Sequence, residues 1–188
     1  MTAVAEAVRR FALRAEQEDL VDVGYDTVDS PIGGLLVAAT DGGVVTIHFE
    51  GESDAALSEI ARRVSPRMLR LPRRVERARR ELGEYFEGRR TEFSVPLDRR
   101  LIGPFGAKVL GRTEEIPYGH VSAYNLVARE IGHPNAARAV GNALGANPIP
   151  VIIPCHRVLR TGGSLGGYGG GLHRKRFLLE LERVFPAA

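Results

Sequence analysis

A single cysteine, Cys155, stands in a chain of 188 residues, so no internal disulfide framework can form and a reducing compartment is expected. The five histidines show no ligand spacing with cysteine or carboxylate that would make a zinc site, and neither metal nor cofactor is expected. No apolar run approaches the length of a membrane span. The first twenty residues mix Arg9, Arg10, Arg14, Glu16, Glu18 and Asp19 with alanines and lack the continuous apolar core of a secretory signal, so a cytoplasmic protein without membrane contact is expected. The glycine-rich stretch from Gly162 to Leu172 lacks the Lys-Ser/Thr of a Walker phosphate loop. Leu165 and Tyr168 inside it point to a packed loop rather than a linker.

What is present is ordinary for a globular protein: 44% hydrophobic and 26% charged residues, enough for one large domain or two small ones. The formal net charge is +3 and the sequence pI about 9.3. Basic residues cluster from Arg62 to Arg80 and from Arg157 to Arg176, which permits a nucleic-acid partner without requiring one. Within the first cluster, Arg73, Arg74, Arg77, Arg79 and Arg80 read as a solvated helix face.

Residues 1–22 form an extension whose first twenty residues can make an amphipathic helix, with Val4, Ala7, Val8, Phe11 and Ala15 on one face and Arg9, Arg10 and Glu16 turned away. Residues 23–97 read as a small α+β domain. Tyr25–Val28, Leu35–Ala39 and Val44–Phe49, punctuated by Asp29-Ser30-Pro31-Ile32-Gly33-Gly34 and Asp41-Gly42-Gly43, predict three antiparallel strands. Helices follow over 53–64 and 75–86, the second carrying Val75, Ala78, Leu82 and Phe86 at helical spacing and ending at Gly88. Phe93–Leu97 is a further strand candidate.

Residues 98–188 read as a mostly helical C-terminal domain. A helix over 104–115 precedes the turn Ile116-Pro117-Tyr118-Gly119. Ser122 is a fair N-cap for a helix over 123–131, and Gly132-His133-Pro134-Asn135 separates it from a helix over 136–144. Helix, short turn, helix is a DNA-docking arrangement and also an ordinary helical hairpin. Its second helix presents Arg138 among the small residues Ala136, Ala137, Ala139, Gly141 and Ala143, so that backbone can approach a groove. The last helix, over 173–184, puts Leu178, Leu181 and Phe185 on one face with Glu182 flanking it and Glu180 pointing away. A carboxylate beside a buried face needs a partner.

Cys155 follows Val151-Ile152-Ile153, a β-branched run suited to a short strand or extended segment and bounded by Pro150 and Pro154. His156 offers a proton acceptor within reach, directly or through a water, and the thiolate rather than the thiol is the nucleophile. A lone cysteine is as readily a small buried hydrophobe, so the surrounding motifs decide.

Those motifs resemble the methylated-DNA–protein-cysteine methyltransferases, the O6-alkylguanine-DNA alkyltransferases. The resemblance rests on Ile116-Pro117-Tyr118-Gly119, Ala136-Ala137-Arg138-Ala139-Val140-Gly141, Asn147-Pro148, Pro154-Cys155-His156-Arg157-Val158, Gly167-Tyr168, and Gly170-Gly171-Leu172 followed by Lys175, Leu178-Leu179 and Glu182. It covers residues 104–182 in order and spacing, and more loosely Asp29-Ser30-Pro31-Ile32-Gly33. It implies a single-turnover DNA repair protein that moves an alkyl group from O6-alkylguanine in double-stranded DNA to Cys155, acting as a monomer; whether O4-alkylthymine also reacts is left open. It also implies catalytic roles for Cys155, His156, Glu182 and Asn147: His156 as base through a water, Glu182 orienting His156, and Asn147 holding the turn. Tyr124, Arg138, Ala137, Ala139 and Gly141 would meet DNA, with Tyr124 at a phosphate and aiding guanine protonation, and Arg138 filling the gap left by the extruded base. Val158, Tyr168, Gly169 and Tyr124 would line the substrate pocket. A His156–Glu182 pair is expected to raise the thiolate fraction of Cys155 near neutral pH.

The chain departs from the family pattern at Phe105-Gly106, Val109-Leu110 and Ser122-Ala123-Tyr124, beneath the helix-turn-helix rather than at the thiol. Two other functions compete. A non-catalytic alkyltransferase-like DNA binder would lack the nucleophile that Cys155 supplies, and a cysteine hydrolase using Cys155 and His156 would leave Arg138 and the helix-turn-helix unused.

Overall fold

The computed structural model describes residues 3–185 and divides them into two compact units, 3–80 with 95–101, and 81–94 with 102–185. The fold is α+β, a sheet-bearing N-terminal part followed by a mostly helical C-terminal part. No helix among the described residues is long and apolar enough to cross a membrane.

The first unit opens with α1 (Ala3–Gln17). The side chains expected on its apolar face at Val4 and Val8, and the Arg9 side chain, lie outside the described ones. Ala7 is exposed and Phe11 is 64% exposed; of the expected face Ala15 packs, and with Ala12 it lies against Val21, Leu69 and Leu71. Glu16 is not turned away. It accepts from Arg74 Nε at 2.8 Å and pairs with Arg73. Apolar packing at Ala15 and paired charge at Glu16 both tie this helix to the first unit.

The sheet has the order β3-β2-β1-β4. β1 (Val23–Val28), β2 (Leu35–Thr40) and β3 (Gly43–Phe49) run antiparallel as expected, and β4 (Met68–Arg70), which was not expected, adds parallel to β1. Three residues are too few for a hydrophobic period to register. The Phe93–Leu97 candidate makes only an isolated bridge, Leu97 to Val44. Gly43 is required at its turn: its φ is +119°, and a Cβ there would stand 2.2 Å from the Pro96 carbonyl oxygen.

α2 (Asp54–Arg63) is capped by Ser53, whose side chain accepts from the Ala56 N–H. Its Ala56 and Ile60 pack on Val23, Leu36, Ala38 and Val45. A 3-10 turn (Pro72–Val75) leads into α3 (Glu76–Phe86). The helix closes in a Schellman arrangement, Arg89 N to Glu84 O and Gly88 N to Tyr85 O, with Gly88 at φ +70°. Of the arginines expected on a solvated face, Arg73, Arg77 and Arg80 are exposed, and Arg74 and Arg79 are not. Arg74 is largely covered and also pairs with Asp41, while Arg79 and Arg70 both donate to the buried Asp26.

Residues 81–94, the greater part of α3 and the loop after it, belong to the second unit, and 95–101 return to the first. The apolar side of α3 accounts for this. Leu82 and Tyr85 are fully buried, and Tyr85 packs against Phe93 and edge-on to Tyr118 in the second unit.

The rest of the second unit contains α4 (Pro104–Glu114), β5 (Ser122–Ala123), α5 (Tyr124–Glu130), α6 (Ala137–Gly145), β6 (Val158–Leu159) and α7 (Leu172–Leu181). Ser122 does not cap α5. It pairs in β5 with Val158, and the N-cap is Ala123. On α7 the fully buried residues are Lys175, Leu178 and Leu179; Leu181 and Phe185 are only partly buried. Glu182 is the C-cap of that helix and is 1% exposed.

Candidate active site

The segment before Cys155 is a tight turn and not a strand. Ile153 N donates to Ile149 O at 2.9 Å, and Val151 sits at φ +74° although it is β-branched, a conformation that costs about 1–2 kcal/mol. Asn147 takes the place of a neighbouring strand: its Nδ2 donates to Ile153 O and its Oδ1 accepts from Ile149 N, both at 3.0 Å. Ile149, Val151 and Ile153 are fully buried, so the β-branched run reports burial correctly while the prolines at 148, 150 and 154 prevent a ladder. Cys155–Arg157 then forms a 3-10 turn that enters β6, which pairs in parallel with β5.

Behind the thiol lies a buried carboxylate. Glu182 Oε1 accepts from His156 Nε2 at 2.8 Å, Tyr85 Oη at 2.7 Å and Arg157 Nη2 at 3.0 Å. Its Oε2 accepts from Arg157 Nε at 2.9 Å and from Gly119 N at 3.3 Å. Arg157 Nη1 donates to Ile116 O at 2.7 Å, and the guanidinium lies over the Tyr118 ring. Burial alone would raise the Glu182 pKa, but the His156 and Arg157 donors outweigh it and hold it down at about 2.

His156 is fully buried, and burial pushes its pKa below the ordinary value despite Glu182. A neutral ring bonded to a carboxylate through Nε2 carries its proton there, which leaves Nδ1 as the lone-pair nitrogen. Nδ1 has no hydrogen-bond partner among the described residues.

Cys155 is 6% exposed. Burial pushes its thiol pKa up, and the opposing effects of Asn147 and Lys175 do not reverse this. Burial thus works against the enhanced resting thiolate expected beside a His156–Glu182 pair. Withdrawal from water dominates, and His156 is neutral and supplies no positive charge.

Cys155 borders a cleft of about 670 Å³ whose walls include Tyr124, Ala137, Arg138 and Gly141 from the helix-turn-helix and Gly167, Tyr168 and Gly169 from the glycine-rich loop. Seven of the residues singled out from sequence thus meet at one opening: Cys155, Tyr124, Ala137, Arg138, Gly141, Tyr168 and Gly169. Asn147, His156 and Glu182 stand behind it. Ala139 is exposed on α6 and does not line the cleft. Val158 is fully buried and does not line it either; its carbonyl accepts from Lys175 Nζ at 2.6 Å. Gly166, at φ +68°, lets the loop reach the Tyr124 hydroxyl, which a Cβ would approach to 2.8 Å.

Three residues of this site carried no role in the sequence reading. Arg157 follows His156 directly and was visible only as part of the motif. Lys175 is fully buried with its pKa lowered by burial to about 8, and its ammonium lies over the Tyr124 ring. Tyr85 had a signal: Val75, Ala78, Leu82 and Tyr85 continue a 3-4-3 spacing better than Phe86 does.

Two family models cover the chain: the 6-O-methylguanine DNA methyltransferase ribonuclease-like domain over residues 23–99, and its DNA-binding domain over 104–184. The chain belongs to the methylated-DNA–protein-cysteine methyltransferase family. It is 43% identical over 161 residues to the methyltransferase of Mycolicibacterium paratuberculosis, covering 86% of this chain and 93% of that protein. It is 35% identical over 161 residues to the constitutive methyltransferase of Bacillus subtilis, covering 85% and 95%. Among solved structures it is similar to Mycobacterium tuberculosis OGT in complex with DNA, with a TM-score of 0.73 and 42% identity over 85% of this chain and 92% of that one. As a methyltransferase of this family the protein is a DNA-binding repair enzyme, and the non-catalytic DNA binder is not favoured.

The buried carboxylate yields a stability test. Its folded pKa is depressed, so its contribution is full above the unfolded value near 4.5 and is lost as pH falls towards about 2. Glu182→Gln leaves the Arg157 guanidinium buried without a charge partner and is expected to lower unfolding free energy at pH 7 by about 3 kcal/mol or more. The partly exposed Glu180→Gln is expected to stay within about 0.5 kcal/mol. Urea unfolding of both variants at pH 7 and at pH 3 checks this, and the gap between Glu182→Gln and the unaltered protein should narrow at pH 3.

Proposed function

We propose that the protein removes alkyl groups from the O6 atom of guanine in double-stranded DNA by transferring them to Cys155 Sγ, once per molecule. The observation that carries this reading is the Cys155 thiol at a cleft bordered by the helix-turn-helix, backed by a neutral histidine whose proton-accepting nitrogen is left open. The base must leave the stack to reach a thiol in such a cleft, and a DNA-docking motif beside the nucleophile suits that need.

In the proposed step the Cys155 S–H proton passes through a water to His156 Nδ1 while Sγ attacks the alkyl carbon. The S–C bond forms, the C–O6 bond breaks, and its electron pair returns to the guanine. Tyr124 aids protonation of the departing base, and the Tyr168 hydroxyl and Gly169 N–H donate to it. The new imidazolium is stabilised by Glu182, already anionic and bonded to Nε2. Asn147 holds the turn that presents the thiol. Arg138 fills the gap left by the extruded base, with Ala137, Ala139 and Gly141 allowing α6 a close approach. The thioether has no leaving group that water can displace, so the protein is consumed. All the groups come from one chain, which supports action as a monomer, and the free thiol suits the reducing cytoplasm.

Mass analysis after mixing with duplex DNA containing O6-methylguanine is expected to place one methyl group on the Cys155 peptide, at about one event per protein. Repeated turnover, or methyl on another residue, contradicts the proposal. Arg138→Ala separates the two uses of that arginine. A phosphate contact would lower all DNA binding and reduce the salt slope by about one. A space-filling role offsets part of an unstacking cost of about a few kcal/mol, so duplex transfer should slow far more than duplex binding weakens.

A further inference from the structure

Tyr85 lies outside the matched DNA-binding domain and beyond the motifs that carry the resemblance, yet it reaches the centre of the site. It is fully buried on α3, held by Phe86 and Tyr118 edge-on and by Phe93 in a tilted contact. Three rings around one ring fix its position. Its hydroxyl then points at a single acceptor, Glu182 Oε1 at 2.7 Å, and stands 3.5 Å from His156 Nε2, too long for a second bond.

Glu182 does not need this donor for charge balance. Arg157 already grips both of its oxygens, and a buried phenylalanine would pack as well without a polar group to satisfy. The hydroxyl is bonded to the same oxygen that receives His156 Nε2–H. A donor there withdraws negative charge from that oxygen and weakens the pull of the carboxylate on the histidine proton.

We propose that Tyr85 is a positioning residue of the alkyl-transfer site, one that limits the basicity of His156 through Glu182 Oε1 and so keeps the ring neutral and able to take the thiol proton. The inference rests on the proposed role of His156 as base. The charged and titratable groups facing His156 and Glu182 are Arg157, Lys175, Cys155, Tyr118 and Tyr168. Each is untouched by a change confined to the Tyr85 oxygen. Arg157 and Lys175 act on His156 in the same direction as burial, lowering its pKa, and Tyr85 adds to them by damping the one group that opposes them.

Tyr85→Phe removes one oxygen and keeps the ring. Its rate of methyl transfer to Cys155, followed against pH, is expected to show an acid limb moved about one unit to higher pH, the effect of losing a hydrogen bond to a charged group. The rate should fall roughly tenfold at the foot of that limb and little above pH 8. A purely structural loss would lower the rate equally at every pH, and an unmoved limb overturns the proposal. Placing 3-fluorotyrosine at position 85 alone strengthens the donor without disturbing the packing and should move the limb to lower pH; it decides the matter even if Tyr85→Phe does not fold. Absence of methyl transfer to Cys155 in the unaltered protein would instead overturn the function proposed above.

Discussion

The second unit is organised around a buried ion pair that would be a poor investment for stability alone. Glu182 and Arg157 are both almost completely withdrawn from water. The desolvation cost of such a pair commonly cancels its attraction. The arrangement becomes intelligible from what the pair does to its third member. Arg157 compensates the carboxylate, so His156 can bond to Glu182 without having to carry a positive charge. The imidazole is thereby fixed in one tautomer, with its free nitrogen available for a proton.

The state of the sulfur follows from the same burial. Many reactive cysteines are kept as thiolates by a neighbouring cation or a helix N-terminus. Here the neighbouring ring is neutral, and the ammonium of Lys175 is itself disfavoured by burial and bonded to the Val158 and Gly167 carbonyls. A protonated, sheltered thiol resists adventitious oxidation and alkylation. For a protein that spends its only cysteine in one reaction, such protection has evident value. Reactivity then depends on moving the proton when substrate is in place.

How much of this was legible in the sequence varies with the length of the signal. Segments bracketed by clear turn and cap signals, such as those that became α2, α4 and α6, were recognisable as helices, and the three antiparallel strands declared themselves through Gly-rich turns. The three-residue β4 had no period to detect. The run Val151-Ile152-Ile153 reported burial but not conformation, because the left-handed turn at Val151 is imposed by Asn147 and the flanking prolines, not by propensity. At the site, residues adjacent to Cys155 were identified together with their distant partner Glu182. Tyr85 was missed because it arrives from a helix 71 positions before His156, and only tertiary packing brings it there. The ionisation of the thiol is hidden from the sequence for a related reason. A Cys-His dipeptide shows that two groups are close, but the ionisation of each depends on solvent access, which adjacency in sequence does not encode.

The central claim is that a neutral His156, pinned by the Glu182–Arg157 pair, faces a protonated thiol. The lone cysteine makes this directly measurable, because thiolate absorbance in the ultraviolet has one source once the tyrosine background is subtracted with a Cys155→Ser control. Titration of the unliganded protein, combined with nitrogen NMR of the His156 ring, should find the thiol still protonated at pH 7 and ionising above the ordinary range of about 8.5, with the ring proton on Nε2. A thiolate already present at pH 7 beside a protonated His156 would contradict the account.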